Sequence, residues 1–90
     1  MKAHEILEAG AQHIKDRSAA RDKPDGEKTM GATVQAFNAV YDKDLTEEQG
    51  WQFMVLLKMV RGANGKTTAD DYEDEAAYAA LAGESALDGQ

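Results

Sequence analysis

The sequence predicts an all-α fold, a compact bundle of three or four helices in a single domain covering residues 1–90. Three observations predict it. Apolar residues recur at helical spacing in every long segment. No stretch carries a convincing strand pattern. The one proline, Pro24, lies in a polar connector and leaves every helical segment uninterrupted.

The first helix is expected over about residues 2–20, where Ile6, Leu7, Ala11, Ile14 and Ala19 form a modest apolar stripe that Gly10 weakens slightly. Residues 21–28 contain Pro24-Asp25-Gly26 and read as a connector, because proline and glycine preset turn geometry. A second helix is expected over about residues 30–41, with Met30, Val34, Phe37, Val40 and Tyr41 inward and Asp42 to Asp44 closing it. Thr46 is a good N-cap, and Gln49 three residues on completes a capping box, so a third helix should run from Glu47 to about Arg61. Gly62 and Gly65 are expected to stop it. Thr68 or Asp70 caps the last helix, which reads to about Gly83, and residues 84–90 form a tail expected to fray. The same spacing puts Ile14, Val34, Phe37, Val40, Phe53, Met54, Leu56, Leu57, Val60, Tyr78 and Leu81 in the core.

A chain of this size buries only about 60 to 65% of its unfolded surface. The apolar surface of four short helices exceeds what it can bury internally, so a homodimer is expected. There is no cysteine, hence no disulfide and no thiolate zinc site, which fits a reducing cytoplasm. His4, Glu5 and Glu8 interrupt the first apolar residues, so no signal peptide is expected. The apolar run from Gly50 to Gly62 falls far short of the roughly 20 residues of a membrane span. These features predict a soluble cytoplasmic protein. Net charge is −7, and from Asp70 onward there are acids but no base. Such a field repels nucleic acid and favours divalent cations or basic protein surfaces as partners.

Lys58 and Arg61 sit inside the most apolar helix, on one face with Glu47, Trp51 and Met54. A base at such a position needs an acid on a neighbouring helix, a route to water, or an anionic ligand. Asp71 and Asp74, three apart on the last helix and in line with Tyr78 and Leu81, supply the acids. They are read either as capping and ion-pairing groups or as metal ligands, and Lys58 with Arg61 either as ion-pair partners of Asp74 or Glu73 or as phosphate-binding groups. Trp51 is either a core residue or a platform for a base. His4 and His13 are nine residues apart, which is no metal pair, and rim positions are expected for them. Gly65-Lys66-Thr67 is no phosphate loop, since neither a strand nor an earlier glycine at the required spacing precedes it.

Residues 20–84 resemble a group of small phage and prophage proteins of unassigned function. The resemblance rests on Gly26-Glu27-Lys28-Thr29-Met30, then Ala36-Phe37-Asn38, then Glu48-Gln49-Gly50-Trp51 with Phe53-Met54 and Leu56-Leu57-Lys58, and finally Asp71-Tyr72 with Asp74 and Ala76 to Leu81. That group is in turn distantly similar to the all-α nucleotide pyrophosphatases of the MazG type. The likeness implies a helical bundle, often dimeric or tetrameric, that hydrolyses nucleoside triphosphates between the α and β phosphates with magnesium held by acidic pairs. It carries the final acidic pair onto Asp71 and Asp74. Glu47, paired with Asp44, and Glu27 of the connector stand for the remaining metal ligands, with Lys58 and Arg61 on the phosphates and Trp51 against the base. Two functions follow: a magnesium-dependent nucleotide-binding or nucleotide-hydrolysing protein, or a non-catalytic acidic protein that binds a host or phage protein.

Overall fold

The computed structural model describes residues 1–21 and 29–88. The connector expected at residues 21–28, apart from the helical Arg21, lies outside the described residues, and Glu27 with it. Four helices occur, α1 (Ala3–Arg21), α2 (Thr29–Tyr41), α3 (Glu47–Asn64) and α4 (Ala69–Asp88), with no strand among the described residues. None of them is long and apolar enough to cross a membrane.

The α2–α3 turn is built by side chains that replace backbone partners. Asp42 takes a left-handed conformation at φ 54° just past α2, a region that Asp enters more readily than most residues. The Asn38 amide both donates to the Leu45 carbonyl and accepts from the Leu45 N–H, each at 2.9 Å. Thr46 then opens α3 with the expected capping box: its hydroxyl accepts from Gln49 N–H at 3.1 Å, and Gln49 Oε1 accepts from Thr46 N–H at 3.0 Å.

Two helix ends differ from the sequence-based expectation. α3 continues through Gly62 to Asn64 and stops at Gly65, whose backbone is extended. The Gly62 carbonyl accepts from Thr67 Oγ1 at 3.2 Å, so this last turn satisfies a backbone group that would otherwise lack a partner. α4 runs past Gly83 to Asp88, because Leu81 and Ala82 are buried, Ala86 is half-buried, and Ser85 Oγ donates to the Leu81 carbonyl at 2.9 Å.

Helix α4 is the centre of the arrangement. It packs on α3 along one side and on α1 along another, while α2 touches only α3 among the described residues. The spatial order is therefore α1, α4, α3, α2. Trp51, Tyr78, Leu81 and Ala82 form the core, with Ile14, Met30, Met54 and Val55 packed against it. Glycines let the helices approach. A Cβ on Gly10 would meet the Glu73 carbonyl at 3.0 Å, which fixes how closely α1 lies on α4. A Cβ on Gly50 would lie 2.5 Å from Met30 Sδ and 2.8 Å from Val34 Cγ1, which does the same for α2 on α3.

The expected core needs correction on one side. Val34, Tyr78 and Leu81 are buried, and Ile14 and Met54 are half-buried, but Phe53, Leu56 and Val60 are more than half exposed. Phe37, Val40 and Leu57 are exposed too. The periodicity on α3 identified an apolar face correctly, but α1 packs on α4 rather than on α3, so no helix among the described residues covers that face.

Candidate functional site

The ionisable residues gather around the first half of α4, which presents a different group to each neighbour. Toward α3, Asp74 Oδ2 accepts from Lys58 Nζ at 2.8 Å, and both side chains are almost buried. Arg17 from α1 reaches the other oxygen of Asp74 at 3.7 Å. The Arg17 guanidinium also sits 5.2 Å from the centroid of the Tyr78 ring, a cation–π distance. Tyr78 in turn stacks on Trp51 at 5.7 Å. Arg17, Lys58, Asp74, Tyr78 and Trp51 are thus one connected group that ties α1, α3 and α4 together. Its single carboxylate is matched by two bases, which satisfies the requirement that a buried charge be paired.

A cleft of about 320 Å³ opens where the end of α3 meets the start of α4. Its walls are Met59, Gly62, Thr67, Asp71, Tyr72 and Glu75, with Ala63 beside them. Asp71 occupies the third position of α4, and its Oδ2 accepts from both the Thr68 N–H at 3.0 Å and the Thr68 hydroxyl at 3.3 Å. It therefore caps the helix through one oxygen, and among the described residues Oδ1 is not used. Glu75 follows one turn later on the same wall. Tyr72 is more than half exposed and lines the cleft.

Toward α1, Glu73 is 8% exposed, and its Oε1 lies 2.9 Å from His13 Nε2. Asp70, exposed at the start of α4, completes a group in which one donor atom from each of His13, Asp70 and Glu73 lies within 4.8 Å of the others.

The residues singled out from the sequence are therefore not all neighbours. Lys58 and Asp74 meet, as the lone base in an apolar helix required. Trp51 is in the core, 7% exposed and covered by Tyr78. Arg61 is exposed, and no ion pair reaches it among the described residues. Glu47 lies at the opposite end of α3, against Gly31 of α2, where a Cβ on that glycine would meet Glu47 Oε1 at 2.7 Å. Gly62, the residue of α3 that faces Asp71, lies fifteen positions after Glu47, or about 22 Å along the helix. Glu47 and Asp71 do not meet within one chain.

The match that decides the family spans residues 5–86, from the first turns of α1 to the last turn of α4. The chain belongs to the DUF6378 family, a domain of unknown function. No curated protein and no solved structure gives a significant match. The groups described above all lie within the residues that match the DUF6378 domain.

Sequence reasoning weighed His13 only against His4 and expected it at a rim, whereas it is half-buried and bonds Glu73, and it gave no role to Arg17, Tyr72 or Glu75 of this DUF6378 chain. A signal for His13 and Arg17 was present. Gly10, His13, Ile14 and Arg17 lie along one face of α1, and a small residue one turn before two bases marks a place where a neighbouring helix comes close.

Proposed function

We propose that the domain binds a magnesium–nucleoside triphosphate in the cleft between α3 and α4. The observation that carries the reading is the composition of that cleft: two carboxylates one turn apart, a threonine hydroxyl and an exposed tyrosine ring around a volume of about 320 Å³. Magnesium takes hard oxygen ligands and keeps several of its waters, so Asp71 Oδ1 and Glu75 with substrate phosphate oxygens suffice as a donor set. Tyr72 takes the stacking role that the buried Trp51 leaves open. Lys58 neutralises Asp74 and supports the cleft from behind, while exposed Arg61 is left for the outer phosphates. The resemblance to MazG-type pyrophosphatases agrees with this choice of ligand. The acting species is a homodimer, because the apolar face of α3 needs cover.

Calorimetric titration with magnesium and a panel of nucleoside triphosphates tests the proposal, with pyrophosphate release read in parallel to separate binding from turnover. Binding that requires magnesium and is lost in Asp71→Asn and Glu75→Gln is expected. Absence of binding to every nucleotide at millimolar concentration overturns it. A second reading, a non-catalytic acidic protein that docks on another protein, is favoured by one feature: the exposed stripe of Phe53, Leu56 and Val60.

A further inference from the structure

Glu73 is the anomaly of the α1–α4 contact. It is the buried acidic residue of the described core, yet no lysine or arginine among the described residues lies within ion-pair distance of it. Its neighbour Asp74 takes both Lys58 and Arg17. Glu73 has only the His13 imidazole, through one of its two oxygens. No buried side-chain oxygen among the described residues lacks a partner, so Glu73 is satisfied as it stands, with a histidine where its neighbour has two full cations. A cation held beside it would add a full positive charge to that single imidazole contact.

The surrounding atoms have the form of a metal site. His13 comes from α1, while Asp70 and Glu73 are three apart on α4 and so project from the same side of that helix. Bonds of about 2.1 Å at the tetrahedral angle put donors about 3.4 Å apart, so the 2.9 Å hydrogen bond between His13 Nε2 and Glu73 Oε1 needs to open by only about 0.5 Å to admit one ion. Asp70 is exposed, which leaves its side chain free to turn inward by the little that a donor separation of at most 4.8 Å requires. Gly10, one turn before His13 on α1, brings α1 close enough to α4 for the imidazole to reach.

We propose that His13, Asp70 and Glu73 form a binding site for a zinc-class dication, separate from the cleft at Asp71. One imidazole with two carboxylates suits zinc and the neighbouring first-row metals, whereas magnesium favours oxygen alone. Three protein ligands leave a coordination position for water. The ion cancels the charge of Glu73 and clips α1 to α4, so its role is to hold the first helix on the bundle. It shares no residue with the nucleotide cleft, and either site can fail without the other.

The test uses the full chain, stripped of metal with a chelator and titrated calorimetrically with zinc chloride, and in parallel with cobalt(II), whose visible absorption reports coordination number and geometry. One zinc per chain is expected, with a rise of about 5 °C or more in the unfolding midpoint at saturation. His13→Gln and Asp70→Asn each weaken binding about tenfold or more and remove the thermal shift. Asp88→Asn, at the far end of α4, leaves both unchanged. Asp70 is exposed, so its variant retains the fold and decides the matter even if His13→Gln is unstable. No zinc binding below millimolar concentration, or binding that survives either of the two ligand variants, overturns the proposal.

Discussion

Lys58 sits in the middle of an apolar helix with its ammonium 2.8 Å from Asp74, and both side chains are about 15% exposed. Removing one partner of such a pair costs about 3 to 5 kcal/mol, because the other charge stays buried without its match. Arg17 softens this, since at 3.7 Å it already lies near the same carboxylate. Lys58→Met is therefore expected to destabilise by about 3 kcal/mol, the low end of that range. The double variant Lys58→Met, Asp74→Leu recovers much of the loss in urea denaturation, although it leaves Arg17 with only Tyr78. Purely additive midpoints show that the pair is not coupled. This pair was legible in the sequence: a lone base among apolar residues and an acid on the inward face of the next helix define each other. Arg17 as a second partner was not legible, because its place depends on which helix α1 packs against.

At the scale of the element, local chemistry fixed the helices and long-range packing fixed their neighbours. The capping box of Thr46 and Gln49 is readable because it needs only residues three apart. The ends of α3 and α4 are set by Thr67 on the Gly62 carbonyl and by the burial of Leu81 and Ala82, contacts that a glycine count does not reveal. Helix order is not readable from stripes at all, since a stripe says that a face is buried and not by what. Gly50 shows the energetic side of this. Alanine has the better helix propensity by about 1 kcal/mol. Its Cβ would nevertheless press on Met30 and Val34, and although the methionine can move, the branched valine is held in the buried face of α2. Overpacking of this kind costs about 1 to 3 kcal/mol, so Gly50→Ala is expected to be a net loss of about 1 kcal/mol, seen as a lowered urea midpoint. A raised midpoint instead shows that α2 shifts freely on α3.

For the molecule as a whole, the linear order α1, α4, α3, α2 leaves one side of α3 bare, and the chain is less compact than its length allows. Its radius of gyration is 13.9 Å, against about 12 Å for a compact domain of this size. Phe53, Leu56, Leu57 and Val60 recur at offsets of three, four and seven along the bare side, the pattern of a helix that packs on another helix. Each large apolar side chain taken from water contributes about 1.5 to 3 kcal/mol. A second copy doubles every such contact across a two-fold axis, which suffices against an association cost of about 4 kcal/mol or more. The expected species at tens of micromolar therefore has twice the 9.8 kDa of the chain by sedimentation equilibrium. Leu56→Glu, a charge at the centre of the stripe, should return it to the mass of one chain with its helix content intact. Salt then separates this assembly from docking on a basic protein. Two copies that each carry −7 repel, so the homodimer tightens as ionic strength rises from about 0.05 to 0.5 M. Binding to a basic partner weakens over the same range. A wild-type chain that sediments at 9.8 kDa in both salts overturns the dimer and leaves the stripe to a different protein.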